Sequence, residues 1–441
     1  MIVKHTPRRI ILFVVDCLVF LLALYGALSL RFQELYSVEN FLSYLPSFSF
    51  VILVSLGIFY MYGLYDKPTL RLVRELSARI LTAQILTAGM AVILFYAIPT
   101  LGIAPKTILL LYLLLSVLLS TVWRHYAFSL LLKYKKQKSI IIGSGQSFHA
   151  LVEELTRNPH ISITLVATID VNTYPLHTLE KTIREVRPDS IIIDMRDERV
   201  KPYFGELYTQ LFNGALMLDI LDVYEDVFDM VPLDLINQEW VFRHMLVSQQ
   251  SEVLKRLLDL ILAVPAGAVS LLVYPFVYIA IKLEDGGPLF YKQARIGKHG
   301  VSFVNYKFRT MENKPTHELQ ETKKIGYVGT FLRKTRIDEL PQLWNVIRGD
   351  VSLIGPRPET PALVDEYTSQ IPFYPVRHLV RPGLSGWAQT QQTVVPKFGV
   401  QVDLTAIKLA YDVYYIKHAN LLLDISIIIR TVKVLLSKSG V

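Results

Sequence analysis

The chain has little of two things, cysteine and charge. Its 441 residues include one cysteine, Cys17, so internal disulfide bonds play no part in its fold. Only 19% of the residues are charged while 52% are hydrophobic, a balance too apolar for an ordinary soluble protein. The sequence also lacks internal repeats and low-complexity tracts. These shortages exclude a disulfide-stabilised fold and a repeat architecture, and they point to a membrane protein.

The hydrophobic residues are concentrated in the first third of the chain. Four segments there are each near the ~20 residues needed to cross a ~30 Å hydrocarbon core: Ile10–Leu30, Phe48–Leu64, Ile80–Ile98 and Ile108–Leu132. Asp16, inside the first segment, should face the other helices because a charge in lipid is costly. Arg124, late in the fourth, should reach the lipid headgroups. We therefore predict a four-helix transmembrane domain over residues 1–137.

Cations beside these segments predict how the helices are oriented. They cluster before the first segment, in the second loop and after the fourth segment: Lys4, Arg8, Arg9, Lys67, Arg71, Arg74, Arg79, Lys133, Lys135, Lys136 and Lys138. The positive-inside rule then places both ends of the helical unit in the cytoplasm. A net charge of +8 suits contact with anionic membrane lipids. Nucleic-acid binding is not predicted, because the cations adjoin apolar segments and form no separate basic stripe.

Residues 138–247 have the pattern of an α/β domain. The run from Lys138 to Gly145 reads as a buried strand followed by a glycine turn, with a helix at Ala150–Leu155. Further strands are predicted at Ile163–Ile169, Ser190–Ile193 and Ala215–Leu221. Alternating strands and helices predict a parallel sheet with Rossmann-like winding.

The glycine turn of this domain is incomplete as a dinucleotide site. Gly143 and Gly145 are present, but Phe148 occupies the third glycine position of the fingerprint, where helix and strand must pack closely. Asp170, at the end of the second strand, could still meet a ribose. We favour a degenerate Rossmann-like module that binds no dinucleotide, since partial glycine patterns are common by chance.

A fifth hydrophobic segment, residues 257–283, is long enough to span the membrane, and taken alone a spanning helix is the default interpretation. It contains Pro265 and Pro275, and an interior proline removes a helix hydrogen bond and bends the chain. We therefore predict a re-entrant helix that enters the inner leaflet, breaks near Pro275 and returns to the same face.

The most informative stretch is Thr335–Val346, with Arg348-Gly349-Asp350 and Gly355-Pro356-Arg357-Pro358 after it. Leu340, Leu343, Trp344 and Ile347 recur at helical spacing, which predicts an amphipathic helix. Asp338 then shares its polar face with Gln342 and Asn345, while Glu339 points about 100° away. Two adjacent carboxylates that diverge in this way can take different roles, one attacking and the other holding a metal.

This stretch resembles the catalytic core of the bacterial sugar transferase family, the membrane-bound polyprenyl-phosphate hexose-1-phosphate transferases. Other motifs of the family follow in the same order over roughly residues 252–438: Lys255-Arg256-Leu257-Leu258-Asp259, Gly287–Gly297, Tyr306–Met311, Arg381–Gln389 and Tyr411–Tyr415. One departure is Tyr274 before Pro275, where many relatives have serine. The resemblance implies a monotopic α+β catalytic domain over residues 248–441, with the re-entrant helix at 257–283.

The resemblance also implies the reaction, which is transfer of a hexose-1-phosphate from a UDP-sugar to undecaprenyl (polyprenyl) phosphate with release of UMP. By position, Asp338 is the nucleophile that forms a covalent aspartyl-phospho-sugar, and Glu339 is the Mg²⁺ ligand. Candidate cations for the substrate phosphates are Lys307, Arg309, Arg333, Arg336, Arg357 and Arg381. Headgroup contact is the expected role of Lys334 and Arg377.

Such an enzyme would initiate surface polysaccharide synthesis at the cytoplasmic face of the bacterial inner membrane, and large relatives suggest a homodimer in contact with membrane lipids. Two alternatives remain: a catalytically inactive scaffold of an assembly complex, and a nucleotide-sugar dehydratase. The intact carboxylate pair argues against the first, and the broken glycine fingerprint argues against the second. The final run, Leu421–Leu436, could form either an interfacial amphipathic helix or a core helix.

Overall fold

The structure of the protein is a computed structural model that describes residues 6–33, 37–65, 70–97, 106–132, 136–158, 161, 163–174, 179–245, 252–311, 325–392 and 400–436. The chain forms two compact units, Met1–Val227 and Phe228–Val441. The sequence predicted a boundary at residue 247. Contacts within the chain group residues 228–245 with the second unit, and the predicted domain boundary stays a prediction.

Four long helices begin the first unit: α1 (Thr6–Phe32), α2 (Val38–Met61), α3 (Leu70–Ala97) and α4 (Lys106–Leu132). Three of them contain a stretch long and apolar enough to cross a membrane, Ile10–Phe32, Glu39–Met61 and Thr107–Tyr126. In α3 the apolar part of the described residues is the shorter Leu76–Val92, so the third predicted span stays a prediction. The apolar helices indicate membrane association. Of the cations that predicted the orientation, Lys4, Lys67, Lys133 and Lys135 lie outside the described residues.

A buried ion pair joins the first and fourth helices. Arg124 on α4 donates through Nη2 to Asp16 Oδ2 on α1, and both side chains are almost completely buried. Tyr65 donates a second hydrogen bond to the same carboxylate at 2.7 Å, and Arg124 Nη1 donates to Leu64 O at 2.6 Å. Asp16 thus makes the helix–helix contact that we predicted. The headgroup position predicted for Arg124 is wrong, because a buried charge is most stable beside an opposite one.

The rest of the first unit is an α/β region. Its strands are β1 (Gln137–Gly143), β2 (Ile163–Asp170), β3 (Ser190–Ile193) and β4 (Leu216–Asp219), and its helices are α5 (Gln146–Arg157), α6 (Leu179–Val186), α7 (Phe204–Phe212) and α8 (Ile220–Phe228). All three pairings are parallel, in the order β2-β1-β3-β4. This order is that of the flavodoxin-like doubly wound sheet rather than the 3-2-1-4 order of the classic dinucleotide fold. The predicted parallel sheet is therefore present with a different winding.

The glycine turn after β1 is closely packed. Phe148 is fully buried, and a Cβ atom added to Gly143 would lie 3.1 Å from its ring. Asp170 accepts a hydrogen bond from Asn172 N at 2.9 Å and lies 3.3 Å from His149 Nε2. The aromatic ring thus occupies the space beside the turn where the fingerprint has its third glycine. That this module binds no dinucleotide stays a prediction.

The second unit begins with a segment, residues 228–245, that packs against the last helices of the same unit. The segment ends in α9 (Gln238–Met245), and its main partner is α16 (Val402–His418). Val231 N donates to Ala410 O at 3.1 Å, and the ammonium group of Lys417 lies 5.2 Å from the centre of the Trp240 ring. Residues 228–245 are therefore part of this unit's packing rather than a linker.

Two apolar helices follow, α10 (Glu252–Ser270) and α11 (Tyr274–Glu284), bent by 51° at the short break between them. Pro265 lies within α10, whereas Pro275 lies in the first turn of α11, where its missing N–H leaves no helical hydrogen bond unmade. The break thus precedes Pro275. Asp259 Oδ1 on α10 accepts hydrogen bonds from Ser352 Oγ and Leu353 N, both at 2.9 Å, which attaches this helix to the unit. The bend is as we predicted, and the return of the chain to the same membrane face stays a prediction.

The remaining elements form a small α+β assembly. Strands β5 (Phe290–Ile296) and β6 (Ser302–Phe308) are antiparallel, and β7 (Ser352–Ile354) and β8 (Gly383–Ser385) are parallel. The helices are α12 (Tyr327–Thr335), α13 (Gln342–Arg348), α14 (Pro361–Gln370), α15 (Trp387–Gln391), α16 and α17 (Leu421–Leu436). On α17, Asp424 is buried and pairs with Lys255 at 2.8 Å, while Leu422 is 79% exposed. One face of α17 therefore packs as a core helix, and the opposite face is open.

Candidate active site

The two adjacent carboxylates lie on a sharp turn between two helices. After α12 ends at Thr335, Arg336 takes the left-handed conformation with φ 55°. The next three residues, Ile337–Glu339, form one 3-10 turn, which is closed by a hydrogen bond from Leu340 N to Ile337 O at 3.1 Å. A left-handed residue other than glycine costs ~1–2 kcal/mol, so packing around the turn must hold it.

The continuous amphipathic helix predicted for this stretch is therefore interrupted. α13 begins only at Gln342, because Pro341 has no N–H for the helical ladder. The polar face of this stretch is buried. Asp338 is 9% exposed and Asn345 is fully buried, while Trp344 on the apolar face is 36% exposed. The polar side chains of this stretch point into the unit.

Asn345 shows what this polar face contacts. Its Oδ1 accepts a hydrogen bond from Tyr306 N at 3.2 Å, and its Nδ2 donates to Val304 O at 2.8 Å and Asp350 Oδ2 at 3.0 Å. Asn345 therefore ties α13 to the middle of β6. The next residue of β6 after Tyr306 is Lys307, so this contact fixes the strand that carries one of the predicted cations.

Glu339 is surrounded by three of the predicted phosphate-binding cations. Its Oε1 accepts from Lys307 Nζ at 2.9 Å and from Arg357 Nη2 at 3.0 Å. Its Oε2 lies 3.8 Å from Arg336 Nη1, beyond hydrogen-bonding distance. The cations come from β6, from the loop after β7 and from the turn itself. Three separate parts of the unit therefore converge on this carboxylate.

The charges around Glu339 determine its protonation state. Burial by itself would raise the pKa of this carboxyl group, but the positive charges of Arg357 and Lys307 outweigh burial and lower the pKa to about 2. Glu339 is thus ionised at any physiological pH. Its Oε2 is not within hydrogen-bonding distance of Arg336, so this ionised carboxylate is a suitable ligand for a hard cation.

Asp338 has the opposite environment. Burial is the main cause that raises the pKa of its carboxyl group, and the charge of Glu339 raises it further, although Lys307 acts in the opposite direction. Poor solvation of the ionised form makes a carboxylate a better nucleophile or base than an exposed one. The two neighbours thus differ as expected for different chemical roles: one is held as a stable anion and the other is destabilised.

Arg333 lies at the edge of this cluster. Its Nε donates to Thr310 Oγ1 at 2.8 Å, and its positive charge, like that of Arg336, lowers the pKa of Asp338. Four of the six predicted cations, Lys307, Arg333, Arg336 and Arg357, therefore lie around the carboxylate pair.

The other two predicted cations are engaged elsewhere. The guanidinium group of Arg309 pairs with both carboxylate oxygens of Asp285, at the end of α11, and its Nε donates to Pro288 O at 2.8 Å. Arg381 Nη2 lies 3.5 Å from Glu252 Oε2, at the start of α10. In this structure both side chains contact the ends of the two bent helices instead of the carboxylate pair.

Tyr274, which departs from the family pattern, links the helix break to α13. Its hydroxyl accepts a hydrogen bond from Trp344 Nε1 at 2.9 Å, and its ring centre lies 4.8 Å from that of Phe308 at the end of β6. The apolar helices are thus joined to the elements that carry the carboxylate pair and Lys307.

A buried charged cluster behind Arg357 was not predicted from the sequence. Arg377, for which we predicted headgroup contact, is only 3% exposed, and it donates to Asp412 Oδ2 at 2.9 Å and to Arg357 O at 2.8 Å. The prediction for Arg377 is therefore wrong. Lys408 and Asp412, four residues apart among buried residues of α16, are the sequence signal for such a cluster.

The described residues contain no group of three or more His, Cys, Asp or Glu side chains that could hold a metal by themselves. Mg²⁺ is commonly bound by one or two carboxylates together with substrate phosphates and water. Glu339 fits that pattern, because its carboxylate is ionised and lies among cations suited to phosphate. The residues therefore fit a Mg²⁺ site that the substrate completes.

Two family models match the chain. The model described as bacterial sugar transferase matches residues 250–438, which contain the carboxylate pair and all of its cations. A second model, described as a CoA-binding domain, matches residues 60–202, which run from the end of α2 to the region after β3.

Curated relatives extend over more of the chain. The UDP-N-acetylgalactosamine-undecaprenyl-phosphate N-acetylgalactosaminephosphotransferase of Aeromonas hydrophila is 38% identical over 264 residues, 58% of this chain and 60% of that protein. The undecaprenyl-phosphate galactose phosphotransferase of Salmonella typhimurium is 28% identical over 344 residues, 69% of each chain. The UDP-glucose:undecaprenyl-phosphate glucose-1-phosphate transferase of Xanthomonas campestris is 38% identical over 343 residues, 69% of this chain and 68% of that protein. Together with the match over residues 250–438, these similarities show that the chain belongs to the bacterial sugar transferase family, a family of transferase enzymes.

Proposed function

We propose that this protein transfers a sugar-1-phosphate from a UDP-sugar to undecaprenyl phosphate, releases UMP and thereby initiates a surface polysaccharide. The observation that carries the proposal is the contrast within the carboxylate pair, with Asp338 buried and its pKa raised beside Glu339 held ionised by Lys307 and Arg357. The activities named for the relatives supply the substrate class. Those names differ in the sugar, so the sugar is left open.

In the first step, a carboxylate oxygen of Asp338 forms a bond to the phosphorus that carries the sugar. The bond from that phosphorus to the bridging oxygen of the diphosphate breaks, and this oxygen leaves as part of UMP. Asp338 then holds the sugar through an acyl-phosphate. Burial favours this step, because the poorly solvated carboxylate loses its charge when the new bond forms.

In the second step, an oxygen of undecaprenyl phosphate attacks the same phosphorus. The bond from Asp338 to phosphorus breaks, the carboxylate is restored and the sugar leaves on a lipid diphosphate. Positive charge must offset the phosphates in both steps. Lys307, Arg336 and Arg357 lie within 4 Å of Glu339 and are the cations that we propose for this role.

Glu339 is the residue that we propose as the Mg²⁺ ligand. The ion, when bound, would neutralise charge on the donor's diphosphate. Lys307 and Arg357 already contact one oxygen of Glu339, so these two side chains orient the carboxylate and would remain available to the phosphates.

The lipid acceptor suggests where the site lies. α10 and α11 expose large apolar side chains on both sides of the 51° bend, among them Val269 at 64% on α10 and Phe276 at 74% on α11. We infer that the bent pair is a re-entrant segment in the inner leaflet, with the catalytic unit on the cytoplasmic face of the inner membrane, where nucleotide sugars are available. We also propose a homodimer, on the resemblance to large relatives.

The test is UMP release by the purified full-length protein in detergent with Mg²⁺ and undecaprenyl phosphate. UDP-N-acetylgalactosamine, UDP-galactose and UDP-glucose are each supplied as donors. We expect UMP release with one of them, complete loss in Asp338→Asn, and a reduced rate with a weaker Mg²⁺ response in Glu339→Gln. A donor labelled in the sugar should label the wild-type protein before acceptor is added, and should not label Asp338→Asn.

Asp365→Asn is the matched control, since this exposed aspartate on α14 lies outside the carboxylate cluster and should leave turnover unchanged. Near-normal turnover by a folded Asp338→Asn protein at saturating Mg²⁺ would overturn the two-step mechanism. Absence of UMP release from every donor by the wild-type protein would favour the scaffold alternative.

A further inference from the structure

In the loop that carries Arg357, the backbone carbonyl of each of four consecutive residues, Pro356 to Glu359, accepts a hydrogen bond. The four carbonyl oxygens accept hydrogen bonds from Gly383 N at 2.9 Å, Arg377 Nη2 at 2.8 Å, Arg295 Nη1 at 3.1 Å and Ile296 N at 3.0 Å, in chain order. Two of these donors are backbone groups of β5 and β8, and the other two are arginine side chains. A loop that belongs to neither a helix nor a strand is thus held by partners from other parts of the unit.

The composition of the loop explains why its carbonyls matter. Pro356 and Pro358 have no N–H, so the backbone on either side of Arg357 cannot be held through donors. Apart from its own N–H, the carbonyl of Arg357 is therefore the most direct point at which the fold can fix this residue. Arg377 supplies the hydrogen bond at that point.

Arg377 is itself held rigidly. Its guanidinium donates to Asp412 Oδ2 at 2.9 Å and to the Tyr374 hydroxyl at 2.6 Å, and it is 3% exposed. Glu359, the last residue of the loop, pairs with Lys408 on α16. Nη1 of the guanidinium donates to Tyr374, and Nη2 donates to both Asp412 and Arg357 O. A lysine side chain is shorter and ends in a single nitrogen, so it cannot occupy both of these positions.

We propose that Arg377 is a positioning residue for the transfer reaction, which acts through the backbone of Arg357 to hold that guanidinium on Glu339 and on the donor's diphosphate. This inference rests on the proposed function. Arg357 is 36% exposed at its side chain and lies on a loop, so its direction depends on how well its backbone is fixed. A displacement of about 1 Å at such a group can lower the rate by about 100-fold.

The first test is Arg377→Lys in the full-length protein. Lysine keeps the positive charge, but its shorter side chain does not bring a nitrogen to the position from which Nη2 reaches both Asp412 and Arg357 O. We expect kcat/KM for the UDP-sugar to fall by about 10- to 100-fold. Tyr374→Phe is the matched control, because it removes another hydrogen bond of the same guanidinium and leaves the bond to Arg357 O. Its kcat/KM should stay within about threefold of the wild type, which is less than the ~10-fold effect of one lost ionic hydrogen bond.

A double-mutant cycle separates positioning from a general structural role. In an Arg357→Ala background there is no guanidinium left to orient, so adding Arg377→Lys should lower kcat/KM by no more than about twofold, as expected for residues that act as a unit. The melting temperature serves as the second readout. Its decrease on Arg377→Lys should be the same in both backgrounds, because the contacts with Asp412 and Tyr374 are present in each.

Equal fold losses of kcat/KM in the two backgrounds would overturn the inference, as would wild-type kcat/KM in a folded Arg377→Lys protein. If Arg377→Lys does not fold, Asp412→Asn replaces it in the same cycle with the same two outcomes. Failure of the proposed function is seen separately, because the wild-type protein would then release no UMP from any donor.

Discussion

Asn345 offers the sharpest test of how the fold supports the candidate site. Asn345→Ala removes the side chain that joins α13 to β6 and leaves Tyr306 N and Val304 O without their partners. Each unpaired buried backbone group costs ~1–3 kcal/mol. Val304 is 44% exposed, so water can replace part of the loss at its carbonyl. We therefore expect the free energy of unfolding of the catalytic unit to fall by about 2–4 kcal/mol.

For a unit of this size, that loss lowers the melting temperature by roughly 5–15 °C. Tryptophan fluorescence is a suitable probe, because Trp240, Trp344 and Trp387, three of the four tryptophans, lie in the second unit. Below the melting temperature we expect turnover to fall by about tenfold, since Lys307 follows Tyr306 on β6 and loses its fixed position relative to Glu339.

Asn237→Ala is the control for this substitution. Asn237 is exposed, and its Oδ1 accepts a hydrogen bond from Trp240 N at 2.8 Å at the start of α9, a cap worth ~1 kcal/mol. It should lower stability slightly and leave turnover unchanged. Equal destabilisation by the two substitutions would refute the importance assigned to the Asn345 contacts.

Three further outcomes are expected. A protein that begins at Phe228 should stay membrane-bound and active. One that begins at Ser248, outside the described residues, should melt at a lower temperature, because it lacks the hydrogen bonds from Trp387 Nε1 to Asp229 O and from Val231 N to Ala410 O. Equal melting temperatures of the two truncated proteins would contradict this. Pro275→Leu should not straighten the bend, because Pro275 lies in the first turn of α11 and breaks no helical hydrogen bond. A cysteine introduced as Lys292→Cys, in a Cys17→Ser background, should therefore react with a thiol probe only from the cytoplasmic side. Labelling from the outside would show a spanning helix. The decline of kcat/KM at acid pH should report protonation of Asp338, whose pKa is raised. Glu339→Gln removes a negative charge that raises the pKa of Asp338, so this decline should move to lower pH. A shift to higher pH would argue against Asp338 as the titrating group.

Local patterns predicted much of this protein. The strand at Ser190–Ile193 has the bounds that we predicted, because three consecutive isoleucines between polar residues have few other solutions. The carboxylate pair with Lys307 and Arg357 was also identified from the sequence, because its motifs are specific and lie in a fixed order. Strand order was not predictable, since the same alternation of strands and helices fits both doubly wound arrangements.

The partners of individual charges could not be predicted. Arg124, Arg309 and Arg377 each pair with an acid that is distant in sequence, and nothing local distinguishes such an arginine from one that contacts headgroups or phosphate. The prolines of the fifth apolar segment indicated a bend, but only the backbone shows that it precedes Pro275. A proline marks the start of a helix as readily as it breaks one.

The ion pair between Asp16 and Arg124 also bears on how the protein is made. The two residues are 108 positions apart, so at a synthesis rate of ~5–20 residues per second the first helix exists for about 5–20 s before its counter-ion emerges from the ribosome. During that time an unpaired aspartate in an apolar helix costs ~2.5–3.5 kcal/mol on the scale of membrane insertion. The first helix therefore carries an unpaired charge until the fourth helix arrives. The order of translation thus delays the pairing of α1 with α4, and a nascent chain that stops before Arg124 leaves Asp16 without its counter-ion.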